Sequence, residues 1–326
     1  MNGKNSELII LSVVMGFIFV LMSLLIPGQF LRIENLQSMA FQLPELGLLS
    51  LAMMITMLTG GIDLSIIATA NLTGIVTALI LKNSVLAGTE ATVPGAIILL
   101  AVVTGLFTAL IIGLINGLLV AVVNVSPILA TLGTMTLVKG LAIVITKGYV
   151  ISGLPNVIRF IGNGVIAGIP VGAILFTLCA LLMSLILNRT PFGFSVYMLG
   201  SNPTATYYSG INNKLVLIKT YLISSLYAGF AALIMISRFN SAKAGYGESY
   251  LLVTILVSVL GGTSATGGFG KVSGLVLALI ILQFVSSGLN LLRISSFLTI
   301  TIWGLIIIFV MIVNYLGSKY RKRGVV

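Results

Sequence analysis

The stretch NRTPFGFSVYMLGSNPTATYYSGINNKLVLIK, Asn188 to Lys219, decides how the rest of the chain is read. It is the longest run that a hydrocarbon core could not accept. Arg189, Lys214 and Lys219 are its charges, and it holds no acid. Apolar segments flank it on both sides, so it connects two membrane spans from outside the bilayer. Within it, Pro203 suits the first turn of a helix and Gly210 suits a stop, bracketing a short helix over Pro203–Ser209. The residues of that segment are small and aromatic, whereas a helix needing only solvation carries charge. Such a surface suits docking into the groove of another protein. The alternative is a helix lying among the headgroups with its tyrosines as interfacial anchors.

Composition places this stretch in a membrane protein. Of 326 residues, 58% are hydrophobic and only 7% charged, and the mean hydropathy is +1.21. A soluble domain carries roughly a quarter charged residues, so the fold class is an all-α polytopic membrane protein. Histidine is absent and Cys179 is the single cysteine, set in an apolar segment. That composition removes disulfides, zinc sites and histidine-based catalysis, and leaves Cys179 as a small packing residue. A rhomboid-like serine protease, which needs a histidine partner for its nucleophile, is excluded on the same ground. The net charge of +11 comes from basic residues scattered singly between spans, not from a nucleic-acid-binding patch. The exception is Lys319-Tyr320-Arg321-Lys322-Arg323, which the positive-inside rule makes a cytoplasmic tail and which could also bind lipid headgroups. The first apolar run, Leu8–Ile26, lacks a small-x-small cleavage site and reads as a retained first span.

Charges divide the chain, because a charge at mid-bilayer costs about 2.5–3.5 kcal/mol on insertion scales. They bound a first span between Glu7 and Arg32, a second between Glu45 and Asp63, and a third between Asp63 and Lys82. The uncharged run Ala91–Val138 is far longer than one span, and Asn124-Val125-Ser126-Pro127 divides it into two; Lys139 then falls inside the fifth. Further spans are expected at Val165–Leu187, Tyr221–Ser237, Val272–Leu292 and Phe297–Leu316. Tyr250–Leu260 is apolar but too short to cross a core of roughly 30 Å alone. The count is about ten. An even count puts both termini on one side, and the basic tail makes that side cytoplasmic. Arg32, Lys82, Lys147, Arg159, Arg238, Lys243 and Arg293 would then lie outside.

Two further stretches carry unusual chemistry. Thr59-Gly60-Gly61-Ile62-Asp63-Leu64-Ser65 contains the only aspartate of the chain, between two apolar runs with almost no loop. Paired glycines permit a tight turn or broken helix. Asp63 suits a helix cap toward Ser65 or the following amides, and equally a pathway or gating role, since ionisable groups at membrane depth usually face a cavity. The second stretch is Gly261-Gly262-Thr263-Ser264-Ala265-Thr266-Gly267-Gly268-Phe269-Gly270-Lys271. Aligned on Gly270-Lys271 it fails as a phosphate loop, with Ala265 at the first position and Val272 at the last. A glycine-rich re-entrant turn after the short Tyr250–Leu260 helix explains it better. Glu45, Gln42, Asn71, Asn116, Gln283 and Asn290 are polar groups in or beside spans, suited to interhelical hydrogen bonds or to a polar pathway.

The stretches LTGGIDLS (58–65), GLINGLLVAVVNVSPILATLGTM (113–135), GSNPTATYYSGIN (200–212), VLGGTSATGGFGKVSG (259–274) and SSGLNLLRISSF (286–297) resemble the permease subunits of bacterial ABC importers for simple sugars, the ribose/galactose/xylose and autoinducer-2 type. They follow that family's order and spacing over roughly residues 40–316. The resemblance implies a single ten-helix type II importer permease domain over residues 1–326, in the bacterial cytoplasmic membrane, with a cytoplasmic coupling loop at about 188–219 and a basic tail at 317–326. It implies no enzymatic activity and no cofactor on this chain. ATP would be bound by two cytoplasmic ATPase subunits or one fused tandem ATPase. A second permease copy or paralogue and a periplasmic or lipid-anchored solute-binding protein complete the set. The coupling helix of the family falls on Asn202, Pro203, Thr204, Ala205, Thr206, Tyr207, Tyr208, Ser209 and Gly210. The family usually has N-P-x-A-A there, whereas this chain has Thr206 in the last position, which would make the docking surface specialised. Gly60, Gly61, Asp63, Ser65, Asn71, Asn116, Gly261, Gly262, Gly267, Gly268 and Asn290 are the candidates for the translocation path and its gating. The rival reading is a stand-alone secondary transporter or channel using Asp63 for ion coupling.

Overall fold

The computed structural model describes residues 3–86, 94–295, 298–299, 301–306 and 308. The basic tail and most of the Phe297–Leu316 span lie outside these residues. The elements in order are α1 (Gly3–Leu25), α2 (Ile33–Leu58), α3 (Ile66–Leu86), α4 (Gly95–Ala121), α5 (Pro127–Thr146), β1 (Ile151–Ser152), α6 (Asn156–Asn163), β2 (Val165–Ile166), β3 (Ile169–Pro170), α7 (Val171–Arg189), α8 (Pro191–Ser201), α9 (Pro203–Tyr208), α10 (Asn213–Phe239), β4 (Ser241–Ala242), α11 (Tyr250–Leu260) and α12 (Val272–Leu291). Among the described residues eight helices are long and apolar enough to cross a membrane, and α11 is a shorter apolar one.

The bundle is organised around α2. Every residue from Gly47 to Leu58 is buried, the mark of a helix enclosed by others on all sides. Helices α3 and α10 are the next most buried, while α1, α4, α5 and α7 leave most of their apolar surface outward, toward lipid or partners. Small residues bring α4 and α10 together. A methyl group added at Gly113 would collide with Ser225, and one at Gly117 would lie 2.9 Å from the Ile218 Cα, a close backbone approach typical of helix pairs in membranes. Helix α1 and the turn after it rest on α12 through Phe19, Phe30 and Phe284, with ring centroids 5.4–6.0 Å apart.

Several expected boundaries move, each for a physical reason. The second span begins at Ile33, not after Glu45, and carries both Pro44 and Glu45 inside the helix. Glu45 is tolerated because Arg238 of α10 donates to its Oε1 at 2.7 Å and the Tyr250 hydroxyl of α11 does so at 2.7 Å. Lys82 lies within α3 and Arg238 within α10, so neither ends its helix. The span expected from Val165 begins at Val171, after α6 and the two-residue β2–β3 hairpin. The span expected from Tyr221 begins at Asn213. The 188–219 interruption is helical over most of its length, as α8 and α9 joined by Asn202.

Breaking the Glu45 pair has a calculable consequence. Arg238→Met leaves a fully buried carboxylate without its cation, a change that costs about 3–5 kcal/mol in comparable sites. The expected result is a clear drop in the melting temperature of the detergent-solubilised protein. Glu45→Leu combined with Arg238→Met should recover most of it, because the second change removes the stranded charge.

Candidate functional site

The three glycine-bearing stretches, far apart in sequence, meet at one end of the bundle. Helix α2 ends there at Leu58, and the turn Thr59–Ser65 leads into α3. The turn 261–271 after α11 and the end of α8 at Gly200-Ser201 come to the same place. The Gly268 amide donates to the Leu58 carbonyl at 2.9 Å. The Tyr197 hydroxyl of α8 donates to the Gly270 carbonyl at 2.9 Å. Burial pushes the Tyr197 phenol up from its ordinary value, so it remains a donor.

The contact is made by backbone against backbone. A methyl group at Gly200 would collide with the Leu58 carbonyl oxygen and the Gly268 amide. One at Gly267 would lie 2.8 Å from both the Gly200 carbonyl oxygen and the Gly60 amide. Gly60, Gly267 and Gly268 also hold φ of 81°, 91° and 80°, a region that other residues rarely enter. Gly61 approaches the Pro127 ring at the start of α5. Gly261 packs on Gly274 and Leu275 of α12, whereas Gly262 is exposed.

From this junction the Asp63 turn reaches into the bundle. The Ser65 amide and hydroxyl donate to Asp63 Oδ1 at 2.9 and 2.6 Å. The Ser224 hydroxyl of α10 lies 3.2 Å from Asp63 Oδ2 and 3.0 Å from the Ala52 carbonyl of α2. Asn116 of α4 donates to the Ser65 hydroxyl at 2.8 Å. The Thr131 hydroxyl of α5 accepts from the Leu64 amide and reaches the Ile62 carbonyl, each at 3.1 Å. Asp63, 1% exposed, is therefore a cap that ties the α2–α3 turn to α4, α5 and α10.

Two candidates lie elsewhere. Asn71 of α3 donates at 3.0 Å to the Ala244 and Tyr246 carbonyls, pinning the connection between α10 and α11. Asn290 is exposed near the far end of α12. Sequence reasoning left Tyr197, Ser224 and Thr131 unnamed as members of this site. Each is an ordinary helix residue whose partner is more than 60 positions away.

Beyond the junction stands α9. Asn202 caps it by accepting from the Ala205 amide at 3.0 Å, with Pro203 in the first turn, and Ser209 closes it. Tyr207 and Tyr208 are 66% and 83% exposed. A surface groove of about 320 Å³ runs between α8 and α9, lined by Tyr197, Met198, Ser201, Asn202, Ala205 and Thr206. Thr206, where the resembled family has alanine, is fully buried and its hydroxyl donates to the Asn202 carbonyl at 2.8 Å. Its side chain points inward, so this departure does not alter the outer face of α9.

Residues 35–316 match the family described as branched-chain amino acid transport system / permease component. The chain belongs to this family. The ribose import permease protein RbsC of Bacillus subtilis is 36% identical over 305 residues, spanning 91% of this permease and 90% of that protein. The D-allose transport system permease protein AlsC of Escherichia coli is 29% identical, spanning 94% and 91%. The autoinducer 2 import system permease protein LsrD of Photorhabdus temperata is also 29% identical, spanning 86% and 83%. No solved structure matches. The permease is thus a multi-pass membrane transport subunit of the class its motifs indicate.

Proposed function

We propose that this permease forms the membrane passage of an ATP-driven ABC importer in the bacterial cytoplasmic membrane, and that its cargo is a monosaccharide or closely related polyol. Relatives named for ribose, allose and autoinducer 2 support that cargo class. A solute-binding protein delivers the solute, a second permease copy or paralogue completes the passage, and cytoplasmic ATPase subunits supply the energy. The observation that carries this reading is the placement of α9. It is short, capped at both ends and tyrosine-exposing, and it follows directly on α8, which interlocks with the backbone of both glycine turns. A push on α9 therefore meets α2, α3 and the turn before α12 through contacts with no side chain to absorb it.

The same reading orients the chain. With α9 on the cytoplasmic side, α2, α4 and α7 end near that side while α3, α5, α10 and α12 start from it, and α11 descends toward it as a half-span. The N-terminus then falls in the cytoplasm, and one further crossing by the expected Phe297–Leu316 span brings the C-terminus to the same side. Ion coupling through Asp63 has little support, because both carboxylate oxygens are engaged by serine donors within the fold.

The test is co-purification of the tagged permease in mild detergent. Wild type is expected to bring an ABC ATPase with it. Ala205→Arg with Gly210→Asp, two changes on the exposed side of α9 and its stop, should lose the ATPase without losing the permease. Recovery of a wild-type permease that never carries an ATPase would contradict the reading.

A further inference from the structure

A second charged pair lies outside the junction. Lys139 lies in the middle of α5, and its Nζ is 2.8 Å from Glu248 Oε1 in the connection between α10 and α11. The side chains are 44% and 54% exposed. Depth can be counted along two helices from the Asp63 turn, where Thr131 meets Ile62. Lys139 is eight residues further along α5, about 12 Å. Asn71, whose amide holds the Ala244 and Tyr246 carbonyls, is at a similar distance along α3. The connection carrying Glu248 therefore dips to the middle of the span. Non-helical backbone at that depth is tolerated only where it is buried in protein or lines water, and a half-exposed ion pair there faces water, not lipid.

The neighbouring surface of α5 agrees. This helix is attached to the bundle by a narrow stripe of Ala130, Thr131, Thr134, Val138, Ala142 and Thr146. Most of the remaining circumference, including Thr136 and Gly140, is exposed, and nothing lies within 4 Å of a methyl group built at Gly140. We propose that Thr136, Lys139 and Gly140 of α5, with Glu248 opposite, line a water-filled passage at mid-membrane. There the ion pair offers both a donor and an acceptor to the hydroxyls of a passing solute. This rests on the import reading for its cargo but not for its geometry.

Aqueous accessibility tests it. In a Cys179→Ala background, Thr136→Cys, Gly140→Cys and the outward-facing α7 control Leu181→Cys are assembled with the ATPase in liposomes. They are then treated with a charged, membrane-impermeant thiol reagent. Reactivity follows thiolate formation and water access. Positions 136 and 140 should therefore react at least about tenfold faster than 181 in one of the ATP-free or ATP-bound states. Reactivity no greater than that of position 181 in both states would overturn the proposal. Lys139→Gln and Glu248→Gln, which need no added thiol, should each raise the solute concentration for half-maximal uptake while leaving ATPase co-purification intact. Unchanged uptake in both would equally overturn the assigned role of the pair. Labelling without ATP-driven uptake would sink the importer reading alone, and uptake without labelling would sink this passage alone.

Discussion

Replacing Gly200 by alanine is expected to abolish ATP-driven uptake by the assembled transporter. The added methyl group collides with two backbone groups, the Leu58 carbonyl oxygen and the Gly268 amide, neither of which can rotate away as a side chain end would. Overpacking of this kind costs about 1–3 kcal/mol. Here it is relieved only by separating α8 from the Leu58 and Gly268 backbone on which Gly200 rests. Because α9 itself is untouched, the ATPase should still co-purify with the variant. ATP hydrolysis should continue while uptake falls at least about tenfold, the rate equivalent of 1.4 kcal/mol. Uptake close to wild type would mean that the backbone contact is not the route by which motion of α9 reaches the spans. Gly16→Ala on the outward face of α1, where a methyl group meets nothing within 4 Å, is the matched control and should leave assembly and uptake unchanged.

Asp63→Ala should be the most destabilising single change in the Asp63 turn, and Asp63→Asn a much milder one. Alanine strands the Ser65 amide and hydroxyl, both buried, and each unsatisfied group costs about 1–3 kcal/mol. Asparagine keeps an acceptor for Ser65 and presents an amide donor to the Ser224 hydroxyl, which can accept it. Import should therefore collapse with alanine and persist in good part with asparagine, measured alongside the yield of monodisperse protein. If the carboxylate carried protons or sodium, both variants would be equally inactive while still folded. Equal inactivity with equal yield would thus return Asp63 to the centre of the mechanism.

Much of this arrangement is legible in sequence because its signals are local. Pro203 and Gly210 bracket α9 correctly to within a residue, since capping and termination depend on neighbours. The cap by Asp63 is a two-residue interaction and was one of the two roles open to it. The bounds of the short helix Tyr250–Leu260 are legible too, since apolar residues fill it and a glycine pair ends it. What stayed hidden is long-range. Glu45 read as the edge of a span because nothing near it in sequence announces Arg238, 193 positions away. Lys139 reads as a bare charge inside the fifth span for the same reason, since its partner Glu248 lies beyond five intervening helices. Each glycine stretch signalled an unusual backbone, but not that the three would meet. Asn71 and Asn290 show the converse, because polar residues in spans look alike until the structure separates a loop-pinning amide from an exposed one.

The most direct test of the central claim is solute uptake into liposomes containing the permease with and without its co-purified ATPase, with the binding protein and sugar supplied on the side opposite α9. Accumulation that requires both ATP and the ATPase, and is indifferent to a proton gradient, is the expected result. Uptake by the permease alone, driven by a proton or sodium gradient, would contradict it.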